Sequence, residues 1–201
     1  KQRPGAALGG CRYMIGSDDV DDLDIIRVFE VFKKYDIRYF FYNGGNDSMD
    51  TADKINKAAK KIGYDLYVMG IPKTIDNDLA GTDHCPGYGS CAKYIITSVA
   101  EAGIHTASMH TSEPVTILVT VGRNAGWLPA ASSFARRKPE DAPHIICFPE
   151  VPFEKEKFLK DVEMVYKTVG GVFIVTGEGL RDKKGSYISA EYGEMSVDAF
   201  G

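Results

Sequence analysis

No apolar run in this chain approaches the roughly 20 residues that a membrane-crossing helix needs, so no membrane span is expected. Cysteine is scarce. Cys11, Cys85, Cys91 and Cys147 form no C-x-x-C pair, which removes support for zinc-ribbon or thioredoxin-like chemistry. They read as idle or buried thiols of a reducing cytoplasm. His84, His105, His110 and His144 show no metal-ligand spacing and read as structural or surface residues. There is no excess of basic charge. The formal net charge is −4, which argues against a general nucleic-acid-binding surface but leaves room for a local basic site for a phosphorylated ligand. No signal-peptide pattern opens the chain, and neither an internal repeat nor a low-complexity tract is present. The first residue is Lys1, not Met, and the sequence breaks off at Gly201. A fragment of a longer protein is therefore expected.

What the chain does have is glycine, 21 residues in 201, against a usual share of about 7%. Many stand where an apolar run ends. Helical and strand patterns alternate around them. A helix is predicted over 22–34, with Leu23, Ile26, Phe29, Val31 and Phe32 as its apolar stripe, followed by a strand over 37–42. Ser48 is expected to cap the next helix, which Gly63 stops. A strand over 66–71 ends at Pro72. After a glycine-rich loop at 81–89, a long helix is predicted over 88–107, with Ala92, Ile95, Ile96, Val99 and Ala102 inward. The β-branched run 115–121 predicts a strand buried on both faces. A helix over 127–137, a strand over 144–148, a helix over 154–169 and a buried strand over 171–176 complete the pattern. In the helix over 154–169, Phe158, Leu159, Val162 and Val165 are expected inward. This order predicts an α/β fold of Rossmann-like parallel sheets covered by helices, in two lobes. The boundary is expected near Gly87, giving lobes 1–87 and 88–201.

Polar loops follow the strands, the usual place for a site in an open α/β sheet. Gly44-Gly45-Asn46-Asp47-Ser48 offers backbone N–H groups and a helix N-terminus to an anion. Asp47 suits Mg2+, which takes carboxylate, water and phosphate oxygens. The alternative is an ordinary glycine turn with a helix cap. Pro72-Lys73-Thr74-Ile75-Asp76-Asn77-Asp78 is denser. A carboxylate there can take a proton from an alcohol, and Lys73 can neutralise phosphate charge. Asp76 and Asp78 are two apart, so on an extended strand both would point the same way. The alternative is an Asx-turn with solvated acids. Arg123, in Val-Gly-Arg-Asn-Ala-Gly-Trp, has a guanidinium able to fork onto a sugar phosphate. Glu178, between Gly177 and Gly179, can accept hydrogen bonds from sugar hydroxyls. A surface Arg near a cap and a plain turn residue are the alternatives. Arg12, after Gly9-Gly10-Cys11, is a weaker anion contact.

Taken together, GGNDS, PKTIDND, VGRNAGW and GEG resemble the 6-phosphofructokinases in order and approximate spacing. The opening PGAALGGCR is similar to the family's phosphate-donor loop. The resemblance spans nearly the whole chain and implies the phosphofructokinase fold in part. It implies lobe 1–87 as the remainder of the donor-binding lobe and lobe 88–201 as part of the sugar-phosphate lobe. A first phosphate-binding strand and a basic segment after Asp198-Ala199-Phe200-Gly201 are expected outside the chain. ATP-dependent members resemble GGDGS and PGTIDND. Here Asp47 and Lys73 replace the two glycines, which resembles the pyrophosphate-dependent type. Both side chains would crowd the place of an ATP α-phosphate, and Lys73 can hold charge on the leaving phosphate.

The resemblance implies phosphoryl transfer from pyrophosphate to fructose 6-phosphate, in glycolysis. It implies Asp76 as the base, with Lys73 and Asp47 in the catalytic set. Thr74, Ile75, Asp78, Val121, Gly122, Arg123 and Glu178 would join Asp76 around the sugar phosphate. Arg12, Gly45 and Ser48 would lie along the donor, with Mg2+ at Asn46 and Asp47. A homo-oligomer, dimer or tetramer, in the cytoplasm is implied as well. Two departures stand out: Asn46 replaces the family's usual Asp at the metal, and Val121 its frequent Met. Three rivals are an ATP-dependent enzyme of the same family, a NAD-kinase or lipid-kinase relative, and a non-catalytic subunit that binds sugar phosphate. TIDND speaks against the second, and a retained base against the third.

Overall fold

The structure, a computed structural model, describes residues 9–189. Of the opening expected as a donor loop, residues 4–8 lie outside the described residues, as does the stretch 198–201. Contacts divide the chain into two compact units, separated between Lys73 and Thr74.

The first unit begins its regular structure with α1 (Leu23–Lys34). Asp22 caps it, its carboxylate accepting from the Asp24 N–H at 2.9 Å, so one of the orphan donors of the first turn is satisfied. β1 (Tyr39–Gly44), α2 (Asn46–Ile62) and β2 (Tyr67–Pro72) follow. β1 and β2 pair in parallel, Gly44 opposite Pro72, so their loops leave from the same end of the sheet. α2 ends at Gly63, whose φ of 72° lies in the left-handed region that glycine tolerates. The core is Ile25, Phe29 and Phe32 of α1 against Ile55, Ala58 and Ala59 of α2. The buried stripe of α1 is thus turned from the expected one. Leu23 and Ile26 are exposed, because the i, i+4, i+7 set starting at Ile25 faces α2.

The second unit has α3 (Tyr88–Ser108), β3 (Val115–Thr120), α4 (Trp127–Ala131), β4 (Ile145–Cys147), α5 (Lys155–Val169) and β5 (Val172–Gly177). Its sheet is parallel in the order β3-β5-β4. The central strand β5 is buried along its whole length. Phe173 and Val175 meet Ile95 and Val99 of α3 and Leu128 of α4 in the core.

Several expectations need correction here. Among the described residues β3 pairs on one side only, and only its alternate side chains are covered. Val115, Ile117, Val119 and Val121 are exposed among the described residues, so a β-branched run did not mean two covered faces. The helix expected over 127–137 is α4 plus a 3-10 turn, Ser132–Ala135. The Ser132 hydroxyl donates to the Pro129 carbonyl, an i−3 bond that competes with continued α-helix. In α5, Leu159 is exposed while Phe158, Val162 and Val165 are half-buried. The compact units divide between Lys73 and Thr74, and the loop between β2 and α3 is bonded within the second unit, as described next. No helix among the described residues is long and apolar enough to cross a membrane.

Candidate active site

The second unit gathers five of the residues singled out from sequence. β3 and β5 are paired in register, Thr120 opposite Gly177, so the loops that follow them start side by side. The Gly122 N–H donates to Glu178 Oε1 at 3.2 Å. Arg123 Nε stands 4.0 Å from the same oxygen. Two glycines permit this approach. Gly122 has a φ of 115°, and a Cβ on Gly179 would fall 1.8 Å from the Arg123 carbonyl oxygen, a clash that no side chain could relieve. A Cβ on Gly122 would come within 4.0 Å of the Asp76 carboxyl carbon. Asp76, Gly122, Arg123 and Glu178 therefore form one cluster. Thr74 belongs to it through its hydroxyl, which accepts from the Asp76 N–H at 3.1 Å, a turn that fixes the backbone before the carboxylate.

Asp78 goes elsewhere. It lines a cavity of about 390 Å³ with Asn77, Thr82, Asp83 and Trp127. The extended backbone on which Asp76 and Asp78 would share a direction is absent there. β2 ends at Pro72, and Asn77 has a φ of 60°. Ile75 packs its Cγ2 toward Gly87, 3.1 Å from where a Cβ would stand. Val121 is exposed at the end of β3.

The first unit carries the other set. Gly45 is the N-cap of α2, so the helix begins at Asn46, and no side chain caps it. This corrects the expectation for Ser48, which sits inside the first turn. Its Oγ lies only 2.0 Å from where a Cβ on Gly44 would stand, so the tight packing of that hydroxyl on glycine replaces capping. Lys73 follows β2, and its N–H donates to the Gly44 carbonyl at 2.9 Å. Its ammonium lies 3.7 Å from the position of a Cβ on Gly45. A cation, open main-chain N–H groups and the positive end of a 17-residue helix thus occupy one place, which suits an anion of high charge. Arg12 is exposed in a segment without helix or strand. No hydrogen bond or ion pair among the described residues ties it to this loop.

Asn46 and Asp47 are both exposed on the first turn of α2. They offer hard oxygens, one a carboxylate, and no group of three or more His, Cys, Asp or Glu able to hold a metal stands among the described residues. Mg2+ commonly binds through one or two carboxylates, with phosphate oxygens and water completing its shell. The pair fits an ion that arrives with a polyphosphate better than a bare ion, which the helix terminus would repel.

Two residues were missed in the sequence. Glu150 accepts from the Gly126 N–H at 2.7 Å and so closes the 122–126 loop from the far side. Asn77 stands buried between the two aspartates. Glu150 lies 24 positions from its partner, so no local pattern announced it. The Cys91 thiol is pushed up, first by burial and then by the Asp76 charge.

Residues 1–199 match the family model described as phosphofructokinase. The chain is 47% identical over 201 residues to a pyrophosphate–fructose 6-phosphate 1-phosphotransferase of Xanthomonas campestris, covering 100% of this chain and 48% of that protein. It is 44% identical over 202 residues to a protein of the same name from Halomonas elongata, again 100% and 48%. A solved pyrophosphate-dependent phosphofructokinase from Marinobacter aquaeolei superposes with a TM-score of 0.74 at 45% identity, over 89% of this chain and 44% of that one. The chain spans about half the length of the curated relatives it matches.

Proposed function

Because the chain belongs to the phosphofructokinase family, we propose that its protein transfers a phosphoryl group from pyrophosphate to the primary hydroxyl of fructose 6-phosphate. The observation that carries this reading is the cluster around Gly122. There the carboxylate of Asp76 lies beside a guanidinium and a second carboxylate. That set matches an alcohol on a phosphorylated sugar.

Asp76 takes the proton of the hydroxyl as its oxygen bonds to phosphorus. The bond from that phosphorus to the bridging oxygen breaks, and inorganic phosphate leaves. Arg123 binds the sugar's own phosphate, Glu178 accepts from its hydroxyls, and Thr74 sets the backbone that holds the base. Lys73, beside Gly45, stabilises charge on the leaving phosphate. Mg2+, held by the oxygens of Asn46 and Asp47 together with the diphosphate, would neutralise charge on the transferred group. Most of the acceleration in such a reaction comes from positioning and cationic stabilisation of spread negative charge.

The pyrophosphate reading rests on Lys73 and Asp47. An ammonium against Gly45 fills space that glycine at position 73 would leave open for a nucleotide. A donor screen on the full-length protein tests this, with pyrophosphate and ATP each supplied with Mg2+ and fructose 6-phosphate. Faster turnover with pyrophosphate is expected. Faster turnover with ATP would reject the donor assignment, and tight sugar-phosphate binding without turnover on either donor would reject catalysis.

A further inference from the structure

Two non-glycine residues among those described have a positive φ, Asp36 and Asn77. Asp36 is exposed at a turn, where such a conformation is common. Asn77 is different. It is only 6% exposed, and its amide is used at both ends. Its oxygen accepts from the Cys85 N–H at 2.7 Å, and its nitrogen donates to the Asp83 carbonyl at 3.2 Å. Cys85 is wholly buried, so without Asn77 its N–H would lose its partner away from water.

One side chain thus closes the excursion from residue 77 to residue 85. The closure ends two residues short of Gly87, the N-cap of α3 with a φ of 91°, and Ile75 packs against that glycine. The base is anchored from both sides: the Thr74 hydroxyl holds the Asp76 N–H, and Asn77 fixes the next residue to the start of a 21-residue helix. The same left-handed turn sends Asp78 to the cavity by Trp127 while Asp76 stays at Gly122. Among common side chains, asparagine tolerates this φ and also supplies a donor and an acceptor.

We propose that Asn77 is a positioning residue, which acts by holding Asp76 in line with the acceptor hydroxyl; this rests on the reading of Asp76 as the base. The closing experiment uses four forms of the full-length protein besides wild type: Asn77→Gly, Asn77→Asp, Asp76→Asn and the double variant. Glycine adopts the positive φ freely, so Asn77→Gly removes the two hydrogen bonds without opposing the backbone. Its kcat is expected to fall about 10- to 100-fold, the scale of a misplacement of about 1 Å, with KM for fructose 6-phosphate changed less than about threefold. Asn77→Asp keeps the acceptor for Cys85 and loses the donor to Asp83, so its kcat is expected between the two.

The double variant decides the route. If Asn77 works through Asp76, adding Asn77→Gly to Asp76→Asn lowers kcat by no more than about threefold further. An equal loss in both backgrounds overturns the proposal, as does an Asn77→Gly protein whose melting temperature drops while kcat stays within about twofold of wild type. Near-normal turnover by Asp76→Asn would instead overturn the base itself, and the positioning role with it.

Discussion

The loop after β1 and the loop after β2 do opposite things with their polar groups. After β1, Gly45 caps α2 without any side-chain bond, and Asn46 and Asp47 stand exposed. After β2, Thr74 and Asn77 spend their side chains on the backbone. The first loop presents main-chain N–H groups, and the ammonium of Lys73, from just past β2, reaches them at Gly45. Past Lys73, the second turns the polar atoms of Thr74 and Asn77 onto the backbone and brings Asp76 beside Gly122, while Asp78 stays exposed. An anion with several equivalent oxygens needs charge more than direction, and a helix terminus supplies that without fixed side chains. A base has to meet one proton, so its backbone must be held. On the proposed reading, the contrast is that of a donor site with an acceptor site.

The largest effect expected on the fixed side is from Asp76→Ala. Turnover should fall by about a hundredfold or more, read in steady-state kinetics with both substrates saturating. Near-normal turnover would show that the second loop is rigid for some other reason. On the open side the expected change is one of choice, not of rate. Lys73→Gly with Asp47→Gly should move the ratio of ATP to pyrophosphate turnover by about tenfold toward ATP, the scale of removing a steric block in a binding site. An unchanged ratio would detach donor choice from these two side chains. A smaller effect is expected from Glu178→Gln. Glutamine still accepts from the Gly122 N–H but no longer pairs with Arg123. An exposed pair at 4.0 Å contributes little, so KM for fructose 6-phosphate should change about two- to fivefold with kcat nearly constant. A large fall in kcat would move Glu178 from binding to catalysis.

The same contrast explains what could be read from the sequence. Features that depend on neighbours in the chain were legible. Apolar patterning located the described strands and most of the described helices, though the helix expected over 127–137 is α4 and a 3-10 turn; Pro72 ended β2, and Gly63 ended α2. The open loop was legible as a glycine turn before a helix, although Ser48 is not the cap of that helix. The closed loop was legible in composition and not in geometry. Asp76 and Asp78 looked parallel because spacing alone assumes an extended chain, whereas a single left-handed residue separates them. Asn77 was passed over because its partners, eight and six positions on, form no periodic pattern. Gly179 was read only as a flank of Glu178, and the path of the Arg123 carbonyl shows why a side chain is excluded there. On β3, the β-branched run reported strand propensity correctly. It carried no information on which faces other elements cover.

The smallest expected effect probes the fixed carboxylate without any substrate. The Cys91 thiol is raised first by burial and second by the Asp76 charge. A raised thiol is less ionised at a given pH, and the thiolate is the form that alkylates. Asp76→Asn removes the second cause and leaves the first, so Cys91 should react faster with iodoacetamide at mildly alkaline pH, by roughly twofold. Cys147, raised chiefly by burial and with Lys157 rather than Asp76 as its nearest charged influence, serves as the internal control and should keep its rate. Peptide mass spectrometry of a timed reaction separates the two sites. Acceleration at both would mean that the substitution loosened the whole unit. Acceleration at Cys91 alone would place the Asp76 charge beside α3 in solution, as a held base requires. No change at either would mean that the carboxylate spends its time pointed away, and the rigid half of the comparison would then be no more fixed than the open one.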